Sequence, residues 1–339
     1  MSQSLAAVAR AMVARGKGIL AADESSGTIE KRFKTINLET SEENRRAYRD
    51  MLFSGKGIGE YVSGVILFDE TLRQKSADGT PFAELLTKNG MIPGIKVDAG
   101  AKPMALCPGE TITEGLDGLV KRVQEYVKLG AKFAKWRAVI DIGQNIPSAA
   151  AITANAHALA RYAAICQDNG LVPIVEPEVL MDGDHTIDRC EEVTLWTLRE
   201  VFEALANQRV VLEDMVLKPS MIISGKKCPQ QASPREVAER TLITLKRTVP
   251  AAVPGIAFLS GGQSDELATE HLSLMNELGG GPWTLTFSYG RALQAASLKA
   301  WDGKAANVGA AQAALLHRAR MNSLAAKGEY KRDLEKKAA

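Results

Sequence analysis

Charged side chains set into apolar stretches are the residues of this sequence best placed to do chemistry. Short aliphatic runs end in Asp23 and Asp69, or carry Lys96 with Asp98, Lys135 with Arg137, Glu176 with Glu178, and Lys218. A strand buried in a core should be apolar, so a charge within one needs a reason. Lys218 follows Met215, Val216 and Leu217 and precedes Pro219. A free lysine amine has a pKa of about 10.4, so only about one in 2,500 is neutral at pH 7. Apolar walls and a neighbouring cation, a part Lys135 can play, lower that pKa and turn the amine into a Schiff-base nucleophile. Glu176, Glu178 and Asp23 supply carboxylates for general acid and base work. Taken singly, each charge reads as easily as a rim salt bridge. Gathered at the ends of six strands, the set reads as a site.

Phosphate binding has a separate signal. Leu259-Ser260-Gly261-Gly262 and Ser288-Tyr289-Gly290-Arg291 each end an apolar run and lead into a helical stretch. Glycine-rich turns opening onto helix N-termini cradle anions, and Arg291 adds a fork-shaped cation. Ser25, Thr28, Arg32 and Lys96 form a second anion-binding set, whereas Arg45 and Arg46 read as a solvated or packing face of the first long helix.

The elements that must position these residues follow from hydrophobic period. Strand candidates are 18–23, 61–69, 92–98, 131–139, 171–179, 215–222, 255–262 and 283–289. Helical stretches lie at about 42–53, 81–89, 114–129, 150–168, 187–208, 235–249, 265–279, and 291–300 continuing into 308–326. Asp182, Ser233-Pro234 and Ser264 stand before acid-rich first turns, as helix starts should. Eight alternating units predict a closed TIM (β/α)8 barrel with additional terminal helices, one domain over 1–339 with its core at about 16–326. The charged stretch 327–339 reads as a solvated tail. Along a strand every second side chain shares a face, so Lys135 and Arg137, Glu176 and Glu178, and Lys96 and Asp98 should reach one barrel mouth.

Composition excludes more than it selects. Of 339 residues, 42 are Lys or Arg and 40 Asp or Glu, a net +2 that gives no bulk attraction to nucleic acid or an acidic membrane. Aromatics at 5% argue against a base-stacking surface, and apolar runs such as 65–68 are far too short to span a bilayer. Cys107, Cys166, Cys190 and Cys228 are dispersed with no CxxC, which reads as reduced thiols in a cytoplasmic compartment. The four histidines, 157, 185, 271 and 317, lie too far apart in sequence to form a local metal site. Residues 1–22 carry Arg10, Arg15 and Lys17 without an acid; Leu5, Val8, Met12 and Val13 recur at helical spacing, favouring a first helix over a transit peptide. A plastid location remains the alternative if a precursor segment has been removed.

Seven ordered stretches, 16–25 (GKGILAADES), 94–100 (GIKVDAG), 133–139 (FAKWRAV), 173–180 (PIVEPEVL), 217–221 (LKPSM), 258–264 (FLSGGQS) and 287–294 (FSYGRALQ), resemble class I fructose-bisphosphate aldolase over essentially the whole chain. The resemblance implies a barrel enzyme of glycolysis and gluconeogenesis, usually a homotetramer, working without a metal or other cofactor through a covalent lysine imine. Lys218 would attack the C2 ketone of fructose 1,6-bisphosphate, and Glu176 would serve as acid and base. Asp23 and Lys135 would assist proton transfer and positioning, with Glu178 an electrostatic partner. Ser260, Gly261, Gly290 and Arg291 resemble the C1-phosphate site, and Ser25, Thr28, Arg32, Lys96 and Arg137 the other end. Animal members finish in a longer tail ending in tyrosine; here Tyr330 is followed by KRDLEKKAA. The rival readings are a Schiff-base aldolase preferring another sugar phosphate, such as fructose 1-phosphate, and a non-catalytic scaffold on the same fold.

Overall fold

The computed structural model of the chain describes residues 4–337. Three parallel strands, β1 (Gly18–Ala22), β2 (Val62–Leu67) and β3 (Ile92–Lys96), lead to a short antiparallel hairpin, β4 (Ala101–Pro103) and β5 (Thr111–Thr113). Parallel strands resume with β6 (Phe133–Ile140), β7 (Val172–Val179), β8 (Val216–Leu217), β9 (Gly255–Phe258) and β10 (Thr284–Tyr289), which pairs back onto β1 and closes an eight-stranded barrel. In chain order the helices are α1 (Leu5–Met12), α2 (Ser26–Lys34), α3 (Glu42–Phe53), α4 (Asp69–Arg73), α5 (Phe82–Lys88) and α6 (Leu119–Lys128). They continue with α7 (Ala149–Asp168), α8 (Ile187–Asn207), α9 (Pro234–Thr248), α10 (Asp265–Glu277), α11 (Arg291–Trp301) and α12 (Val308–Ala325).

Strand alternation decides what fills the barrel. Ile19, Ala21, Ile66, Phe133, Val172, Ile174, Val216 and Ala257 form one buried cluster with Val8, Ala9, Met12 and Val13. The last four come from α1 and the residue after it, so the N-terminal helix stoppers the barrel at the N-terminal ends of its strands. Fully burying a side chain such as Val, Ile or Phe contributes roughly 1.5–3 kcal/mol, which offsets the cost of charges above it. Two residues beyond Ala21, Phe133, Ile174 and Val216 on the same faces come Asp23, Lys135, Glu176 and Lys218. The interior thus turns from apolar to ionic within one side-chain layer. Gly94 makes room for this filling, because the Phe133 ring occupies the place a Cβ would take.

Several expectations change. The sixth strand is only Val216–Leu217, since Pro219 has no N–H for the ladder; Lys218 sits just past it and still donates its N–H to Val175 O at 2.8 Å. Helix α8 opens at Thr186, whose Oγ1 accepts from Arg189 N, and not at Asp182. The stretch 114–129 is helical only from Leu119, after Gly118 in the left-handed region at φ 68°. Asp69 does not extend a strand into the mouth; it begins α4 and binds Arg73 and Tyr126.

The expected solvated tail keeps most of its charged side chains exposed in its described part, but it is docked on the barrel rather than free. Tyr330 is buried, Leu334 packs on the core, and a 3-10 turn runs over Arg332–Lys337. Glu335 is the hub, accepting from Arg318 Nη1 at 2.5 Å, Tyr330 Oη at 3.0 Å and His317 Nε2 at 2.9 Å. The final residues 338–339 lie outside the described residues. Glu335→Ala strips the largely buried Arg318 of its carboxylate and is expected to cost about 1–3 kcal/mol in urea unfolding.

Candidate active site

All the residues assigned above to catalysis or phosphate binding line one cavity of about 950 Å³ at the C-terminal ends of the barrel strands. Register explains the convergence. β3 and β6 set Lys96 beside Lys135, and β6 and β7 set Arg137 beside Glu176 and Val139 beside Glu178. On the floor, Lys135 Nζ lies 2.7 Å from Asp23 Oδ2, 3.4 Å from Glu176 Oε2 and 3.9 Å from Asp98 Oδ2. Lys218 Nζ lies 3.1 Å from the other Glu176 oxygen, so one carboxylate bridges two lysines.

Electrostatics assign different characters to these groups. Burial works to raise the Asp23 pKa, but the nearby Lys135, Lys218 and Lys96 outweigh it and hold the carboxyl below its usual range. Burial likewise works to lower the Lys135 pKa, and Asp23, Glu176 and Asp98 together push it above the ordinary lysine value. Lys135 is therefore a fixed cation and Asp23 a fixed anion at neutral pH. Higher in the mouth, Lys96 Nζ binds Asp98 Oδ1 at 2.5 Å, and Arg137 is ion-paired with Glu178.

The two turns expected from the sequence to hold phosphate stand at the rim. Gly261 and Gly262 have φ of 58° and 92°, conformations that a residue with a Cβ adopts only under strain. Gly290 leads directly into the first turn of α11, which begins with Arg291. On another part of the rim, Ser25 Oγ and Thr28 Oγ1 lie 3.2 Å apart at the start of α2, with Lys31 and Lys96 also lining the cavity.

A family model described as glycolytic fructose-bisphosphate aldolase class-I matches residues 4–339. The chain belongs to the class I fructose-bisphosphate aldolase family. A probable fructose-bisphosphate aldolase class 1 of Xanthomonas campestris pv. campestris is 60% identical over 330 residues, 97% of this chain and 99% of the relative. Fructose-bisphosphate aldolase B of Gallus gallus is 54% identical, over 97% of this chain and 91% of its own. A solved fructose-bisphosphate aldolase from Plasmodium falciparum, in complex with TRAP and a small-molecule inhibitor, superposes with a TM-score of 0.95 at 52% identity. That match covers 96% of this chain and 95% of the Plasmodium chain.

In this class I aldolase, two placements differ from the sequence reading. Lys218 is ion-paired with Glu176 rather than standing alone among apolar neighbours. Arg32, grouped above with Ser25 and Thr28, reaches Glu24 Oε1 at 2.5 Å and lies against Gly290, 3.3 Å from where a Cβ on that glycine would sit. It therefore stands between the Ser25–Thr28 turn and Gly290. Tyr330 does not line the cavity. Arg45 and Arg46 behave as a packing face, binding Glu70, and Glu43 with Asp50.

Four residues were missed. Glu24 is buried at the end of β1 and holds Arg32, Arg49 and Gln294 Nε2, the last at 3.0 Å. Its signal was an acid beside Asp23 at a strand end. Ser288 Oγ is buried with no hydrogen-bond partner among the described residues, and Ser288 lines the cavity near Gly290. Lys226 and Asp182 face each other across two rim loops at 2.7 Å, and only the basic Gly225-Lys226-Lys227 turn hinted at the first. No helix of the described residues is long and apolar enough to cross a membrane.

Proposed function

We propose that this chain cleaves fructose 1,6-bisphosphate reversibly to dihydroxyacetone phosphate and glyceraldehyde 3-phosphate through an imine on Lys218, without a metal. The supporting observation is a single carboxylate, Glu176, placed 3.1 Å from Lys218 Nζ while its second oxygen faces Lys135. Glu176 can take a proton from Lys218, freeing the amine to attack the C2 ketone. It can then return that proton to the departing hydroxyl, so water leaves and an iminium forms. Again a carboxylate, Glu176 can take the C4 hydroxyl proton as C3–C4 breaks, so glyceraldehyde 3-phosphate leaves and the electron pair moves into the iminium as an enamine. Protonation at C3 and addition of water release the second product and restore the lysine. Lys135 and Asp23, one held charged and the other held ionised, support electrostatic positioning of Glu176 more than proton transfer. Ser260, Gly261, Gly290 and Arg291 would hold the C1 phosphate, and Ser25, Thr28 and Lys96 the C6 phosphate, with Arg137 beside Glu178 on the same wall.

Incubation with fructose 1,6-bisphosphate followed by borohydride is expected to leave one reduced triose phosphate on the Lys218 peptide, with EDTA without effect on turnover. No adduct there, together with EDTA-sensitive activity, sinks the mechanism. Comparing fructose 1-phosphate in the same assay settles substrate preference. The family also supports a cytoplasmic homotetramer as the working form, which light scattering tests.

A further inference from the structure

Two cations meet at Gly262. A Cβ placed there would lie 2.6 Å from Lys226 Nζ and 2.8 Å from an Arg291 guanidinium nitrogen, so both side chains reach the same point beside the Ser260–Gly262 turn. Like charges brought this close repel unless an anion sits between them. In the structure Lys226 is offset by Asp182 Oδ1 at 2.7 Å. That pair is loosely held, with side chains 37% and 61% exposed, and an exposed ion pair contributes little.

The backbone beneath Lys226 is, by contrast, well fixed. Lys226 N donates to Met181 O at 2.7 Å, Lys227 N to Gly183 O at 3.0 Å and Gly225 N to His185 O at 2.9 Å. These bonds zip the loop after β8 onto the loop after β7. Gly225 must lack a side chain there, because the Gly183 carbonyl fills the space. The lysine is thus presented to the cavity from a rigid turn, with only its flexible end free to exchange partners.

We infer that Lys226 is a second cation of the Ser260–Arg291 phosphate cradle, and that Asp182 is the counter-ion it leaves when substrate phosphate arrives. The inference rests on the aldolase reading above and adds a binding residue to it. A phosphate dianion between Lys226 and Arg291 turns their repulsion into attraction, and the three ammonium hydrogens can satisfy oxygens that the backbone turn does not reach.

Lys226→Met is expected to raise KM for fructose 1,6-bisphosphate and for fructose 1-phosphate alike, by about tenfold, with kcat within about twofold. Equal effects on both substrates place the lost contact at the C1 phosphate, which they share. Lys226→Arg should restore KM to within about threefold of wild type. Asp182→Asn, which frees the lysine, should lower KM by about twofold to threefold, and should do nothing in the Lys226→Met background. An unchanged KM in Lys226→Met overturns the inference, as does a rise confined to the bisphosphate or an Asp182→Asn effect that persists without Lys226. Borohydride trapping with dihydroxyacetone phosphate runs alongside. If wild type traps and Lys226→Met binds normally, the inference alone falls; if wild type forms no adduct, the aldolase mechanism falls and takes it along.

Discussion

Lys218→Met is expected to lower kcat for fructose 1,6-bisphosphate cleavage by at least about 10,000-fold and to abolish borohydride trapping, while the protein still folds. The size of the effect follows from the proposed chemistry. Without an imine, the electron pair of the breaking C3–C4 bond has no nitrogen sink, and no neighbouring side chain can replace one. Lys135 is the other amine on the cavity floor, yet three carboxylates surround it and hold its pKa above the usual lysine value. It is the wrong lysine to deprotonate. Folding should survive because methionine fills the space among apolar neighbours, and Glu176 keeps Lys135 at 3.4 Å. Lys218→Arg is expected to be as inactive, because a guanidinium stays protonated and cannot attack a ketone. The measurement is a coupled assay for triose phosphate release beside a thermal melt. Residual activity above about a tenth of wild type, in protein that melts normally, rules Lys218 out as the nucleophile.

Much of this site was legible because barrel strands impose a strict alternation. Once Phe133 is taken as interior, Lys135 and Arg137 must follow it toward the mouth, and Ile174 leads to Glu176 and Glu178 in the same way. The glycine turn after β9 was legible because positive φ at Gly261 and Gly262 leaves few residues to choose from. What stayed hidden lies where no period operates. Asp182 and Lys226 are 44 residues apart, and their pairing comes from two loops zipped together by backbone bonds. Arg32 lies on α2, a short polar helix with only Ile29 and Phe33 buried, whose periodic signal is slight; its reach toward Gly290 comes from Glu24 holding the guanidinium. The docking of the tail stayed hidden for a related reason. Most of its charges are indeed exposed, but sequence shows charge and not partner, and Glu335 finds three partners, two of them on α12.

Lys135→Met is expected to destabilise the protein by about 3–5 kcal/mol at pH 7.5, because it removes one member of a buried ionic group and leaves carboxylates uncompensated. The pH dependence identifies the cause. In the wild type Asp23 has a folded pKa below its unfolded value, so its contribution is present above about pH 4 and is lost only as pH falls through that lower value. Lys135 has a folded pKa above its unfolded value, so its contribution is present below about pH 10 and is lost only as pH rises through that higher value. Both therefore contribute fully and evenly between pH 5.5 and 7.5. In the variant, burial still raises the Asp23 pKa, while the largest opposing influence is gone and only the weaker pull of Lys218 and Lys96 remains. The folded value then rises relative to wild type, the native state takes up protons at higher pH, and the variant gains stability relative to wild type as pH falls from 7.5 to 5.5. Urea unfolding at the two pH values measures this directly, and a variant with the same pH response as wild type removes Asp23 as the source. Adding Asp23→Asn to Lys135→Met should recover about 1–2 kcal/mol at pH 7.5 and flatten that response. Such recovery assigns the loss to the stranded carboxylate, because a packing defect left by the shorter side chain would remain after the charge is gone.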